Sequence, residues 1–98
     1  MAPPPPMSSE ERARCIRTRL ERELAPLQLS IRDDGARHIG HAGAREGGHF
    51  QVDIVSEQFR GRTRLERHRL VYQALGELMG TQIHALAVNA HAPEERSS

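Results

Sequence analysis

The chain has 98 residues, a formal net charge of +1, 3% aromatic residues and one cysteine. This length favours one small domain with little room for an enclosed active-site pocket, because a domain of this order buries only about 60% of its unfolded surface. The near-neutral charge argues against strong non-specific binding of nucleic acid. A single cysteine excludes a disulfide within the chain. No apolar run approaches the ~20 residues that a membrane-spanning helix needs.

Both ends of the chain are predicted to be disordered. Residues 1–7 contain four consecutive prolines, which favour polyproline II and do not form the apolar segment of a signal peptide. Residues 92–98 lack an apolar anchor. The predicted domain therefore covers residues 8–91. Its single cysteine fits a reducing, cytoplasmic compartment, where disulfides are rare.

A first helix is predicted to begin after Ser8. Ser8 and Glu11 have the spacing of a capping box, in which the hydroxyl and the carboxylate each accept a hydrogen bond from a free backbone N–H. The apolar stripe expected for this helix consists of Ala13, Ile16, Leu20 and Leu24. Ala25 precedes a proline, which disfavours helical geometry, so the helix is expected to end there.

Two strands are predicted after this helix. Apolar and polar residues alternate from Leu27 to Asp33 and again from Phe50 to Val55, which is the pattern of half-buried strands. Between them, residues 34–48 form a segment of fifteen residues with five glycines. Because structureless loops longer than ~12–15 residues are uncommon in compact domains, this segment is expected to have a function.

A second helix is predicted to begin at a second capping box, formed by Thr63 and Glu66. The apolar face expected for it consists of Leu65, His68, Tyr72, Leu75 and Met79, with Val71 and Leu78 beside them. Gly80 is expected to form the left-handed cap that ends the helix, and Gly76 is a weak point inside it.

A third strand, from Ile83 to Ala90, completes the order α-β-β-α-β. The first two strands are expected to pair antiparallel. The strand–helix–strand unit should be a right-handed crossover, which makes the second and third strands parallel. The predicted fold is therefore mixed α/β of the α+β type, with a three-stranded mixed sheet and both helices on one face.

Histidines are frequent, six in the chain, and two of them lie in the glycine-rich segment. His38 and His41 have H-x-x-H spacing, and His49 stands at the exit of the segment. Such spacing occurs in metal sites and equally in exposed polar loops, and no second pair completes a zinc site. We therefore expect the isolated protein to bind neither zinc nor a cluster tightly.

His68, His84 and Cys15 call for separate interpretations. His68 falls on the expected apolar face of the second helix, where a histidine is typically a structural residue with a hydrogen-bonded ring nitrogen. His84 begins the third strand, where side chains can emerge at the surface, and alternation alone leaves its facing open. Cys15 lies among arginines and is interpreted as an incidental surface thiol rather than a reactive one, because no histidine base is near in sequence.

A basic cluster surrounds the start of the second helix and consists of Arg60, Arg62, Arg64, Arg67 and Arg69. Arginines at a helix N-terminus bind anions, and nucleic-acid phosphate is one candidate. Residues 40–43 match the G-x-x-G of KH domains, but they lie between two predicted strands rather than two helices. No nucleophile–base pair, P-loop or dinucleotide-binding fingerprint occurs, so an enzyme is not expected.

Four blocks of sequence, in order and with matching spacing, resemble the BolA family: residues 49–56 (HFQVDIVS), 59–61 (FRG), 67–72 (RHRLVY) and 83–86 (IHAL). The similarity runs from the first helix to the third strand. It implies an α-β-β-α-β fold like that of class II KH domains but without the KH G-x-x-G. This implied fold agrees with the order predicted from the residues.

The resemblance also implies a function. It implies a non-enzymatic adaptor that forms a heterodimer with a monothiol (CGFS) glutaredoxin around a shared [2Fe–2S] cluster, in iron–sulfur cluster trafficking or iron regulation. Bacterial members imply an alternative, a DNA-binding transcriptional regulator that uses its helix-turn-helix-like region. The residues for that alternative are Arg62, Arg64, Arg67 and Arg69. The isolated protein is expected to be a monomer or weak dimer without a cofactor of its own.

The ligands of the shared cluster are likewise implied by the resemblance. One cysteine cannot supply the thiolates of a cluster, and in the family the glutaredoxin cysteine and glutathione bind one side while BolA histidines bind the other. The family's C-terminal cluster histidine falls on His84. Its loop ligand falls on His38 when residues 33–38 (DDGARH) are matched to Asp-Glu-Ser-x-x-His. Asp34 and Gly35 replace the usual Glu-Ser, and His41 is the alternative loop ligand.

Overall fold

The computed structural model describes residues 7–34 and 48–95. Its helices are α1 (Ser9–Leu24), α2 (Arg64–Leu75) and a four-residue turn α3 (Leu78–Thr81). Its strands are β1 (Gln28–Asp33), β2 (His49–Val55) and β3 (Ala85–His91). Two 3₁₀ turns, Glu57–Phe59 and Pro93–Glu95, follow β2 and β3. Within the described ranges, no helix has the length and apolar character needed to cross a membrane.

The sheet has the predicted topology. Its strand order is β1-β2-β3, with β1 antiparallel and β3 parallel to β2. In this register Val52 lies between Ile31 and Val88, and all three side chains belong to the face that the helices cover. The buried core includes Ile16, Leu20, Leu24, Phe50, Val52, Ile54, Phe59, Val71, Leu75 and Val88. Helices α1 and α2 therefore share one apolar layer against the sheet.

Helix α1 forms as its sequence predicts. The Ser8 hydroxyl accepts a hydrogen bond from Glu11 N at 3.1 Å, and the Glu11 carboxylate accepts one from Ser8 N at 2.9 Å. These bonds favour the ionised carboxylate and lower the pKa of Glu11. The predicted stripe is buried at Ile16, Leu20 and Leu24, and the chain leaves the helix through Ala25 with a left-handed φ of 44°.

The apolar face predicted for α2 is partly wrong. Leu65 and Tyr72 are 58% and 41% exposed, whereas the buried residues of the helix are Val71, Ala74 and Leu75. Residues spaced three and four apart lie on one face of a helix, so 71, 74 and 75 form the contact with α1 and the sheet. Leu65 and Tyr72 are seven residues apart and therefore lie together on a neighbouring face of the helix, which is exposed.

Helix α2 also ends earlier than predicted, at Leu75 rather than at Gly80. Gly76 forms its C-cap with φ 54° and ψ −128°, and its N–H donates to Tyr72 O at 3.0 Å. Gly80 has φ 90° within α3, where Met79 is also non-helical. The glycine considered a weak point inside the helix is therefore the residue that ends it, because it adopts a conformation that side chains disfavour.

The strand boundaries shift by one or two residues from those predicted. Leu27 precedes β1 and is 64% exposed. Ile83 is buried but lies outside β3, where it forms an isolated bridge with Met79. Strand β3 begins at Ala85, so His84 stands just before the strand rather than inside it.

The fold continues beyond His91, where the disordered C-terminal tail was predicted to begin. Ala92 is fully buried and supplies the apolar anchor that the sequence pattern did not reveal. Its backbone N–H donates to the Glu95 carboxylate at 3.1 Å. That carboxylate also accepts two hydrogen bonds from Arg67, at 2.6 and 2.8 Å. The predicted tails at 1–6 and 96–98 lie outside the described residues, as does most of the glycine-rich segment, 35–47.

Candidate functional site

His84 lies exposed at the end of the sheet, immediately before β3. Its backbone N–H donates to Gly48 O at 2.7 Å, and Ala85 N donates to the same carbonyl at 2.9 Å. The position of His84 is therefore fixed through the backbone, by the residue that precedes β2. Its imidazole is exposed and accessible to a partner.

Gly48 makes this close approach possible. It has φ +78°, and a Cβ built on it would lie 2.7 Å from both Gln82 O and His84 N. Side chains rarely adopt this φ, and the backbone atoms it would meet have little room to move. A side chain at position 48 would therefore displace the segment that positions His84. In the sequence, Gly48 is simply the last glycine of a glycine-rich segment.

His49 brings a second imidazole to the same end of the sheet. It is the first residue of β2, and its ring centroid lies 5.6 Å from that of His84, with 39° between the ring planes. The parallel register pairs His49 with Ala85, so His84, which immediately precedes Ala85, lies at the same end of the sheet. Sequence reasoning located His49 only at a loop exit. The predicted parallel pairing of β2 and β3 brings the starts of both strands to one end of the sheet, but it does not give the register.

The exposed imidazole at this end of the sheet is a donor type that suits cluster iron. Imidazole binds cluster iron in Rieske-type centres, and the His84 ring is accessible. Among residues 7–34 and 48–95, no group of three or more His, Cys, Asp or Glu side chains could hold a metal ion. The proposed loop ligands His38 and His41 lie outside the described residues.

The arginine cluster is less available than its charge suggests, and Arg67 is the clearest case. Its side chain is only 11% exposed. It donates to Ala90 O at 3.0 Å and to both carboxylate oxygens of Glu95. These hydrogen bonds, with a further one from Ala92 N, lower the pKa of Glu95 to about 2. Arg67 thus connects α2 to the end of β3 and to the 3₁₀ turn that follows.

The other arginines of the cluster divide into two groups. Arg60 is paired with Glu57 and Glu94, and these carboxylates raise its pKa. Arg62 uses its Nε to donate to a backbone carbonyl, Gln58 O, at 3.0 Å. Arg64 and Arg69 are exposed and form no ion pair with another described residue. Four arginines were named for DNA binding. Among the described residues, the guanidinium groups of Arg64 and Arg69 and the remaining N–H groups of Arg62 are free to donate to a phosphate.

His68 is half-buried and does not occupy the core position predicted for it. Its ring lies 6.3 Å from that of the exposed Tyr72, and among the described residues it has no hydrogen-bond partner. It lines a shallow groove between the start of α2 and β3, together with Arg62, Arg64 and His91. The predicted face that motivated its structural role is buried at Leu75 but exposed at Leu65 and Tyr72, and that role stays a prediction.

Cys15 lies half-buried on α1, at the edge of the core. It shares a shallow depression with Arg14, Thr18, Arg19 and Leu78. This placement differs from that of a fully exposed surface thiol. Cys15 is on a helix, whereas both imidazoles of the candidate site stand at the ends of strands.

Comparison with known proteins identifies relatives across most of the chain. The family model described as BolA-like protein matches residues 20–95. The chain is 42% identical over 93 residues to chloroplastic protein BOLA1 of Arabidopsis thaliana, covering 91% of this chain and 58% of that relative. The chain thus spans little more than half the length of BOLA1.

A bacterial relative and a solved structure extend the comparison. The chain is 38% identical over 84 residues to the DNA-binding transcriptional regulator BolA of Escherichia coli strain K12, covering 82% of this chain and 78% of the regulator. The solved BolA domain of SufE1 from Arabidopsis thaliana is 38% identical, with a TM-score of 0.75 over 91% of this chain and 98% of that domain.

Proposed function

Because this chain belongs to the BolA family, we propose that it is a non-enzymatic adaptor whose partner is a monothiol (CGFS) glutaredoxin. The two proteins form a heterodimer around a shared [2Fe–2S] cluster, with glutathione as a further ligand. The role of the heterodimer is iron–sulfur cluster trafficking or iron regulation, and its proposed compartment is the cytoplasm.

The observation that supports this proposal is the exposed His84 imidazole on a backbone that Gly48 O positions by accepting hydrogen bonds from His84 N and Ala85 N. A ligand for a partner's metal group has to be accessible before the partner arrives, and its backbone has to stay positioned without it. His84 meets both conditions. The described ranges lack a complete set of metal ligands, so the thiolates have to be supplied by the glutaredoxin and glutathione.

The three parts of the site have separate roles in the proposal. His84 supplies one imidazole from the end of the sheet, and the loop supplies the other from His38, with His41 as the alternative. Gly48 holds the backbone of His84 against the start of β2. These histidines would supply imidazole nitrogens to the cluster iron, and the glutaredoxin and glutathione would supply sulfur.

Reconstitution of the heterodimer tests the proposal. The chain, a monothiol glutaredoxin, glutathione, iron and sulfide are mixed without oxygen, and sedimentation is recorded together with visible absorption. We expect a cluster-absorbing heterodimer only when every component is present, and a colourless monomer or weak dimer from the chain alone. Failure of the chain to join the cluster-bound glutaredoxin would contradict the proposal.

Visible circular dichroism of the mixed complex tests the two loop histidines. His38→Ala is expected to change the spectrum and His41→Ala to leave it nearly unaltered. If His41→Ala alone changes the spectrum, the match to the family's loop ligand is wrong by three residues in this sequence.

Binding of DNA is a second candidate function, favoured by the unpaired Arg64 and Arg69 at the start of α2 and by the name of the E. coli relative. Counterion release predicts that log affinity falls with log salt concentration, with a slope of about −0.9 per phosphate contacted. Arg64→Ala and Arg69→Ala should each reduce that slope by about 1, because each removes a phosphate contact. A slope that neither substitution changes would exclude this surface.

A further inference from the structure

The pair His49–His84 has the spacing of two ligands of one metal ion. Imidazole nitrogens bind zinc at about 2.0–2.1 Å, which puts each ring centroid roughly 3 Å from the ion and two tetrahedrally placed rings about 5 Å apart. The observed separation of 5.6 Å is close to this value. The His84 side chain is exposed, so it has room to change rotamer and turn a ring nitrogen towards an ion bound by His49.

The backbone supports both members of the pair. His49 is fixed as the first residue of β2, and the adjacent Gly48 carbonyl accepts the N–H groups of His84 and Ala85. The two rings are therefore attached to neighbouring points of one hydrogen-bonded frame. Preorganisation of this kind reduces the cost of bringing two ligands together.

We propose that, in the free protein, His49 and His84 form a two-imidazole site for one divalent transition-metal ion, with zinc as the natural candidate because imidazole suits it. Two protein ligands leave the other coordination positions to water, so binding is weak and reversible. This agrees with the expectation that the isolated protein does not retain zinc tightly. Only the next consequence rests on the proposed function: an ion on His84 competes with the cluster for the same imidazole.

A zinc titration of a simplified chain tests the pair itself. The parent for this experiment is the double variant His38→Ala/His41→Ala, which removes the loop imidazoles from the measurement. Zinc affinity is measured by calorimetry, and the histidine ring resonances are followed by NMR. We expect the signals of His49 and His84 to shift together as zinc is added.

Substitutions in this parent identify the ligands. Loss of a group that only hydrogen-bonds to a metal ligand typically costs about 10–100-fold in affinity, so loss of a ligand itself, in His49→Ala or His84→Ala, should weaken zinc binding by at least about tenfold. His91→Ala is the matched control, because His91 is exposed at the opposite end of β3 and should change affinity by less than about twofold. Far-UV circular dichroism establishes that each variant is folded, and His49→Gln replaces His49→Ala if the latter is not. Equal zinc affinity in parent and folded position-49 variant would overturn the proposal.

Competition with the cluster provides a separate readout. Zinc added to the wild-type chain, which retains His38 and His41, before glutaredoxin should slow or reduce formation of the cluster-bound heterodimer. The zinc concentration that halves its formation should rise at least about tenfold when His49→Ala is introduced into the wild-type chain, in step with the lost affinity. If zinc binds the pair and yet no cluster-bound heterodimer forms even without zinc, the proposed function fails while the zinc site stands. If zinc binds the pair without affecting cluster formation, the competition is overturned.

Discussion

The two ends of strand β3 differ in what they leave available. At the first end, His84 is exposed and is held only through its backbone, with the His49 ring 5.6 Å away. At the second end, charge is more concentrated but most of it is paired. There Arg67 is occupied by Glu95 and Ala90 O, and Arg60 by two carboxylates.

This difference shows that a cluster of charged side chains does not by itself identify the surface that is free to bind a partner. An arginine whose donors already serve a carboxylate and a carbonyl has to break those bonds before it binds a phosphate. The exposed His84 imidazole forms no hydrogen bond or ion pair with another described residue, so it has no such bonds to lose. The histidine end is therefore the better candidate for partner chemistry, and the arginine end holds the C-terminal turn in place.

The largest effect is expected from Gly48→Ala, because the substitution combines a positive φ with short backbone contacts. Strain and overpacking of this kind should lower the free energy of unfolding by roughly 2–5 kcal/mol. Gly61→Ala is the matched control, since Gly61 has φ +74° and no atom within 4 Å of an added Cβ. Urea unfolding of both variants separates the contact from the φ penalty. Equal losses would show that the contact between Gly48 and His84 does not matter.

At the opposite end, Arg67→Met should destabilise the protein by removing hydrogen bonds from a largely buried guanidinium. Hydrogen bonds to charged groups contribute about 1.5–3 kcal/mol, which sets the expected loss in unfolding free energy. Arg69→Met, at an exposed position two residues away, should have almost no effect. If both substitutions leave the unfolding midpoint unchanged, Arg67 is not the connection described here.

Glu95→Gln should remove the pH dependence of the same connection. The Arg67 hydrogen bonds lower the pKa of Glu95 from 4.5 to about 2, so the carboxylate stabilises the fold fully above about pH 4.5. This contribution is lost as the pH falls towards 2. The difference in stability between wild type and Glu95→Gln should therefore narrow from pH 5 towards pH 2 in acid-unfolding curves. A difference independent of pH over this range would contradict the ion pair.

A small effect is expected from His68→Ala. A half-buried ring without a hydrogen-bond partner among the described residues contributes mainly packing, so the loss should stay below about 1 kcal/mol. Thermal unfolding measures it, with Leu75→Ala as the contrast. Leu75 is fully buried, and its truncation should cost about 2–5 kcal/mol. A loss at His68 as large as that at Leu75 would restore the core role predicted from the sequence.

The sequence predicted features that local patterns determine. Both capping boxes, the buried stripe of α1 and the strand topology are confirmed because spacing, period and crossover handedness specify them. The facing of α2 was partly wrong because three-and-four spacing fits two neighbouring faces of this helix, and the buried one contains Val71, Ala74 and Leu75 rather than Leu65 and Tyr72.

The candidate site was predictable only in part. His84 was identified through the resemblance, whereas its neighbour His49 depends on strand register, a long-range property. The role of Gly48 depends on an atomic contact with Gln82 O and His84 N that no composition reveals. The pairing of Arg67 with Glu95 joins residues 28 positions apart in sequence. Such contacts depend on tertiary packing, so they cannot be predicted from the local patterns of a single sequence.

Visible circular dichroism of the reconstituted glutaredoxin complex tests the central claim most directly. Wild type, His84→Ala and the double variant Arg64→Ala/Arg69→Ala are compared at equal cluster content. The histidine end is proposed to bind the cluster, so His84→Ala should change the spectrum and leave the chain folded, whereas the arginine variant should match wild type. An unchanged spectrum for His84→Ala, with loss of the complex in the arginine variant, would contradict the claim.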